Sequence, residues 1–136
     1  MSDKATTTVL YSTDICKVIC SIKISQRVNY EPCLVIASPN SVVSEQLYSI
    51  KLQSTTHNIF VHNVKNGSYV DFINSIALCM IKAQIPCDYL VAASYEGSIL
   101  VYSPNRDEIA YSYIKGKEDL EILLEKCILK YNEFIC

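Results

Sequence analysis

Residues 68–95 read SYVDFINSIALCMIKAQIPCDYLVAASY, and this stretch decides the fold. Val70, Ile73, Ala77, Met80 and Ile81 recur at helical spacing. Phe72, Ile76, Leu78 and Cys79 widen the stripe until the helix is apolar on nearly all sides. Such a helix is buried on one side and covered on another. Ser68 and Asp71 stand in capping-box relation, and the carboxylate suits the positive end of the helix dipole. The pattern predicts a helix from Ser68 to about Ile85, where Pro86 forbids continuation. The chain then becomes extended, from Cys87 to Ser94. Asp88 is the polar residue ahead of an apolar run, and that continuity predicts a central strand covered on both faces.

Upstream, residues 1–8 are polar and Thr-rich, which predicts a frayed, disordered N-terminus. From Asp14 to Ser25, Cys16, Val18, Cys20, Ile22 and Ile24 share one face, with Lys17, Ser21 and Lys23 on the other, so a half-buried strand is expected. Further strands are predicted over Cys33–Ala37, Glu45–Gln53 (inner face Tyr48, Ile50 and Leu52) and Ile59–Val64. Downstream, Ser98–Ser103 and Glu108–Ile114 form a hairpin about the turn Pro104-Asn105-Arg106-Asp107, where proline presets the first central dihedral. A last helix runs from Lys117 to about Phe134, with Leu120, Leu123, Leu124, Cys127, Ile128 and Tyr131 as its stripe. The expected fold class is α+β: a mostly antiparallel sheet or small sandwich of about six to seven strands, with one central and one C-terminal helix. At 136 residues without internal linker or repeat, a single domain spanning 1–136 is the simplest organisation.

Half the residues are apolar and only 19% are charged, against a usual figure of about 25%. A charge-poor surface suits an apolar face offered to a partner. The net charge is −2, and lysines and arginines are scattered, which argues against nucleic-acid binding. The N-terminus lacks the apolar core of a signal peptide, and no apolar run approaches the roughly 20 residues of a membrane span. A cytoplasmic or nuclear protein without a membrane span is expected. Seven cysteines without an export signal do not describe a disulfide framework. Cys16 and Cys20 come nearest to a metal-ligand spacing. Along one strand they stand roughly 13 Å apart, too far for one ion. No metal or cofactor is expected.

Nucleophilic catalysis needs a base, and the chain offers His57 and His62. His62 alternates with Phe60 and Val64 and reads as a structural histidine. His57 falls in a polar turn and reads as solvated. Cys87 begins a strand and reads as a thiol packed under the helix. The three glycines are isolated, so no phosphate-cradling loop is present. Asp107-Glu108 and Glu118-Asp119 occupy a turn and a helix start, where carboxylates are ordinary. The chain is expected not to be an enzyme. Tyr102, Tyr111 and Tyr113 cluster around the hairpin, with Arg106 in its turn. These four are the candidate partner-binding residues, since tyrosine and arginine are enriched at interfaces. Cross-strand packing explains the tyrosines equally well.

The order of strands, long apolar helix, Pro-Cys strand and terminal helix resembles the small fungal proteasome-assembly chaperones, the third and fourth of that set. Ile73–Ser94 carries the local likeness: the family pattern is a helix, then Pro-Cys-aromatic-Val, then small residues. Here the stretch is Pro86-Cys87-Asp88-Tyr89-Leu90-Val91, with one inserted residue. The hairpin from Ser98 to Ile114 is longer than the family's loop before the last helix. The resemblance implies a non-enzymatic assembly chaperone. It would pair as a heterodimer with a related small chaperone and bind a 20S proteasome α-type subunit during α-ring assembly. The alternative is a trafficking or signalling scaffold of the longin or roadblock type.

Overall fold

A computed structural model describes residues 5–26, 34–39, 55–85 and 87–136. The element order is β1 (Ala5–Ser12), β2 (Lys17–Gln26), β3 (Leu34–Ala37), β4 (Thr55–Lys65), α1 (Tyr69–Lys82), β5 (Val91–Tyr95), β6 (Ser98–Ser103), β7 (Glu108–Tyr113) and α2 (Asp119–Ile135). The fold is α+β. One sheet has the order β1-β2-β4-β3, with only β3 and β4 parallel. The second is an antiparallel meander, β5-β6-β7. The expected strand Glu45–Gln53 lies outside the described residues.

β2 follows its alternation: Val18, Cys20 and Ile22 are buried, while Lys17 and Lys23 are exposed. β1 corrects the expectation for residues 1–8. From Ala5 onward the chain is strand, paired along its length with β2, and residues 1–4 lie outside the described set. Threonine is β-branched and stiff, so a Thr run fits a pleated, half-exposed surface as well as it fits a tail. Thr8 and Ser21 hydroxyls meet at 3.0 Å across the pair on its outer face.

α1 begins as predicted. The Asp71 carboxylate accepts from the backbone N–H and the hydroxyl of Ser68, both at 2.9 Å. It ends three residues before Ile85. The N–H of Ile85 reaches the Met80 carbonyl at 3.0 Å and that of Gln84 reaches Ile81 at 3.1 Å, with Gln84 at φ +57°. This is a Schellman closure with glutamine in the left-handed position. The helix stops through its own cap, ahead of Pro86.

The all-round apolar character of α1 has a clear cause. Phe72 through Ala77, with Cys79 and Met80, are buried. One side of the helix packs on β1, β2 and β4, and another meets β5. The predicted strand Cys87–Ser94 is shorter and differently placed. Asp88–Leu90 is irregular, and β5 spans Val91–Tyr95 at the edge of its sheet, not at its centre. A side chain closes that edge. Asn74, 1% exposed, accepts from the Ala92 N–H at 2.8 Å and donates to the Ala92 carbonyl at 3.0 Å. The carboxamide stands in for a neighbouring strand. Its nitrogen also lies 3.4 Å from the Tyr11 hydroxyl of β1.

The β5–β6 connection is the two-residue turn Glu96-Gly97, at φ +52° and +85°. Both positive values match the primed turn whose twist suits a hairpin. α2 packs on β5 and β6 through Leu123 and Cys127, while Phe134 meets the Tyr11 ring edge-on at 6.1 Å. Asp119 fixes the start of α2 by accepting from the Ser98 hydroxyl at 2.7 Å and the Gly116 N–H at 3.2 Å.

His57 overturns its solvated reading. It lies on β4 facing inward, 4% exposed, and burial pushes its pKa below the usual value. His62 is on the outer face and exposed, not held in a structural pocket.

Two outcomes follow. Removing Asn74 by Asn74→Ala leaves two buried backbone groups unpaired. The unfolding free energy should fall by about 2–4 kcal/mol in urea denaturation, with the fold class retained by circular dichroism. For His57, the unfolded chain binds the proton more readily than the folded one. Stability attributable to this group is therefore complete above the unfolded pKa of about 6.5 and declines as pH falls below it. Urea midpoints measured from pH 7.5 down to about 5.5 should drop for the parent chain and stay flatter for His57→Phe.

Candidate partner-binding surface

The hairpin β6–β7 carries all four residues singled out from sequence, and the structure separates them. β6 is the middle strand of its sheet, so Tyr102 points inside, 6% exposed, and its hydroxyl donates to the Asp107 carboxylate. It braces the turn and does not face solvent. Arg106 lies in the turn, 2.8 Å from Glu108 and 3.8 Å from Asp88. Together with the bond from the Tyr89 N–H to Asn105 at 3.2 Å, it ties the irregular segment before β5 to the hairpin turn. The arginine is half exposed, so these ion pairs position the turn more than they stabilise it.

Tyr111 and Tyr113 are placed together. They alternate on one face of β7, opposite Val101 and Ile99, with exposures of 40% and 53%. The Tyr111 ring leans edge-on against Tyr69, the first residue of α1, at a centroid distance of 6.0 Å. The contact restrains the orientation of the Tyr111 ring. Such aromatic groups lose little rotamer entropy on binding and present a large amphipathic surface. Every residue of β7 is exposed. Ile109 and Ile114 add to the apolar surface. Ile114, which sequence reasoning did not single out, lies one residue past the strand and is exposed at 36%.

A second apolar area covers the outer face of the four-stranded sheet, where Leu10, Phe60 and Val64 are exposed. A cleft of about 300 Å³ opens among β1, α1, β5 and α2. Its lining includes Tyr11, Asn74, Ser94, Lys126, Lys130 and Glu133. Lys130 sits 5.6 Å over the Tyr11 ring and 3.6 Å from Glu133. Burial raises the Tyr11 pKa, and the Lys130 charge opposes that rise.

The thiols are arranged for packing. Cys87 is half-buried with its sulfur 3.4 Å from that of Met80. Burial, assisted by the Asp88 charge, pushes its pKa up to about 12. Burial alone pushes Cys127 up to about 12. A thiol with such a pKa is protonated at neutral pH and is a poor nucleophile. Among the described residues, no group of three or more His, Cys, Asp or Glu is placed to hold a metal, and no helix is long and apolar enough to cross a membrane.

The thiol geometry yields a labelling order. Under native conditions a maleimide should modify the exposed Cys136 well before Cys87, as followed by peptide mass spectrometry. Denaturation should bring the two to similar rates. Equal native rates would show that Cys87 is activated.

No protein-family model matches the chain, and no curated protein does. Among solved structures, the chain is similar to rice (Oryza sativa) Rrp46, seen in a crystal structure. The TM-score is 0.53, the identity 14%, and the match covers 96% of this chain and 90% of that one. The likeness is one of fold.

Proposed function

We propose that this chain is a non-catalytic protein-binding module that docks its partner along the outer edge of β7. The observation that carries this reading is the state of that strand: six residues, all exposed, with Ile109, Tyr111 and Tyr113 among them. An edge strand with large apolar side chains and a ring already braced by Tyr69 suits capture of another polypeptide. The elevated pKa values of Cys87 and Cys127 support a role outside nucleophilic chemistry.

The resemblance around Pro86–Val91 supplies the class of partner. On that basis the module acts as an assembly chaperone, pairing with a related small chaperone and engaging a 20S proteasome α-type subunit. The test is affinity capture from native extract with mass spectrometry, run with the parent chain and with Tyr113→Asp. The parent should recover α-type subunits together with a second small chaperone. Tyr113→Asp places a charge on the docking strand and should lose them while folding normally. Recovery of small GTPases or vesicle tethers in their place would move the assignment to the trafficking-scaffold class.

A further inference from the structure

The direction of each backbone group in the three-stranded sheet follows from one contact. Asn74 takes both the N–H and the carbonyl of Ala92, so Ala92 points away from β6. Directions alternate along an antiparallel strand, so Val91, Ala93 and Tyr95 face β6. Ala93 pairs with Leu100, which leaves Ile99 and Val101 facing β7, where they pair with Tyr113 and Tyr111. The N–H and carbonyl of Ser112 therefore point out of the sheet at an edge that no other described strand pairs with, and Ile114 is next on that side. The register slips between Val101 and Tyr102, which makes Ala110 the extra residue of a bulge. The edge is bent at Ala110 and regular from Tyr111 onward.

Exposed edges are normally guarded by lysine, proline, an inward charge or a bulge. Ile109-Ala110-Tyr111-Ser112-Tyr113-Ile114 has the bulge at Ala110 and contains none of the others, so the edge from Tyr111 onward is unguarded. The charges stand outside it, with Asp107 and Glu108 before and Lys115 after. Arg106 lies against Glu108 and Asp88.

We propose that the free edge of β7 pairs with β7 of a second copy of this chain, antiparallel about a two-fold axis at Ser112. The inference rests on the reading of β7 as the docking edge and names what occupies that edge when the heterologous partner is absent. Outward-facing residues must oppose one another, so Ser112 meets Ser112 of the second copy, and the regular ladder ends where Ile114 reaches the second copy's bulge at Ala110. Tyr111 then lies opposite the second copy's Tyr113, and the reverse, in the closely spaced non-hydrogen-bonded positions where aromatic pairs interact best. The two-fold also sets Asp107 diagonally across from Lys115 of the second copy. A parallel pairing would set like charge against like. The strand is thus complementary to itself in shape, aromatic placement and charge. Growth stops at two copies, because the far edge of each sheet, β5, is closed at Ala92 by Asn74. The contact is isologous and closed.

Ser112→Cys tests the register. At an axial hydrogen-bonded pair the Cα atoms stand about 5.5 Å apart, within disulfide reach. In a Cys136→Ser background, mild oxidation should convert Ser112→Cys into a covalent dimer far faster than Glu121→Cys on the exposed side of α2. Sedimentation velocity of the parent chain from micromolar to near-millimolar concentration should show monomer passing to dimer. Ser112→Pro deletes only the outward N–H, since the ladder to β6 is made by Tyr111 and Tyr113. It should remain folded and monomeric over the same range. A parent chain that is monomeric throughout, cross-linking no faster than the Glu121→Cys control, or a dimer indifferent to Ser112→Pro each overturns the proposal. A monomeric parent that still captures its partner, and loses it with Tyr113→Asp, removes the second copy and leaves the docking edge intact.

Discussion

The two hydrogen bonds between the Asn74 carboxamide and the Ala92 backbone hold the architecture together. Among the described residues the two sheets share no strand. α1 joins them by lying on β1, β2 and β4 and reaching β5 at the edge, and α2, packed on β5 and β6, adds the contact of Phe134 with Tyr11 of β1. Apolar packing supplies most of the attraction, but it has no preferred register. The carboxamide does. It fixes one residue of α1 against one residue of β5, and its nitrogen also approaches the Tyr11 hydroxyl on β1. Because Asn74 and Ala92 are buried, leaving those groups unpaired would cost more than the bonds gain over water, so alternative placements of the helix are disfavoured.

That closure gives the second sheet two unlike edges. At β5 the hydrogen-bonding groups of Ala92 are satisfied internally and the strand is largely buried. At β7 the residues are exposed and tyrosines stand ready. The asymmetry follows from connectivity. β5 is drawn beneath α1 and α2, whereas β7 follows a four-residue turn and touches α1 only where Tyr111 meets Tyr69 among the contacts described. The interior tyrosine of the hairpin, Tyr102, braces the turn through Asp107, and the exterior pair is left for contact.

Much of this was legible in the residues. The 3.6 period announced α1, the 2.0 period announced β2, and Ser68 with Asp71 marked the start of the helix. Other features were not legible. Thr6-Thr7-Thr8 has the composition of a tail and the stereochemistry of a strand, and only pairing with β2 decides between them. The run Leu90-Val91-Ala92-Ala93 is as apolar as a central strand because it is as buried as one, although its neighbour on one side is a side chain. The signal lay in Asn74, an amide in the middle of the apolar run Phe72–Ile81. At the candidate surface, alternation grouped Tyr111 with Tyr113, but strand order decided that Tyr102 belongs inside, and strand order is a long-range property. Glu45–Gln53 remains a reading of the sequence.

The threonine strand has a practical consequence for anyone handling the protein. A chain trimmed to begin at Thr13, on the view that a polar N-terminus is dispensable, would lose Tyr11 and with it the ring that packs on Phe134 and supports Lys130. It would also strip the cover from β2, a ten-residue strand, and turn a protected interior ladder into an open template for aggregation. Insolubility of such a shortened protein would be a property of the cut, and would say nothing about the intact chain.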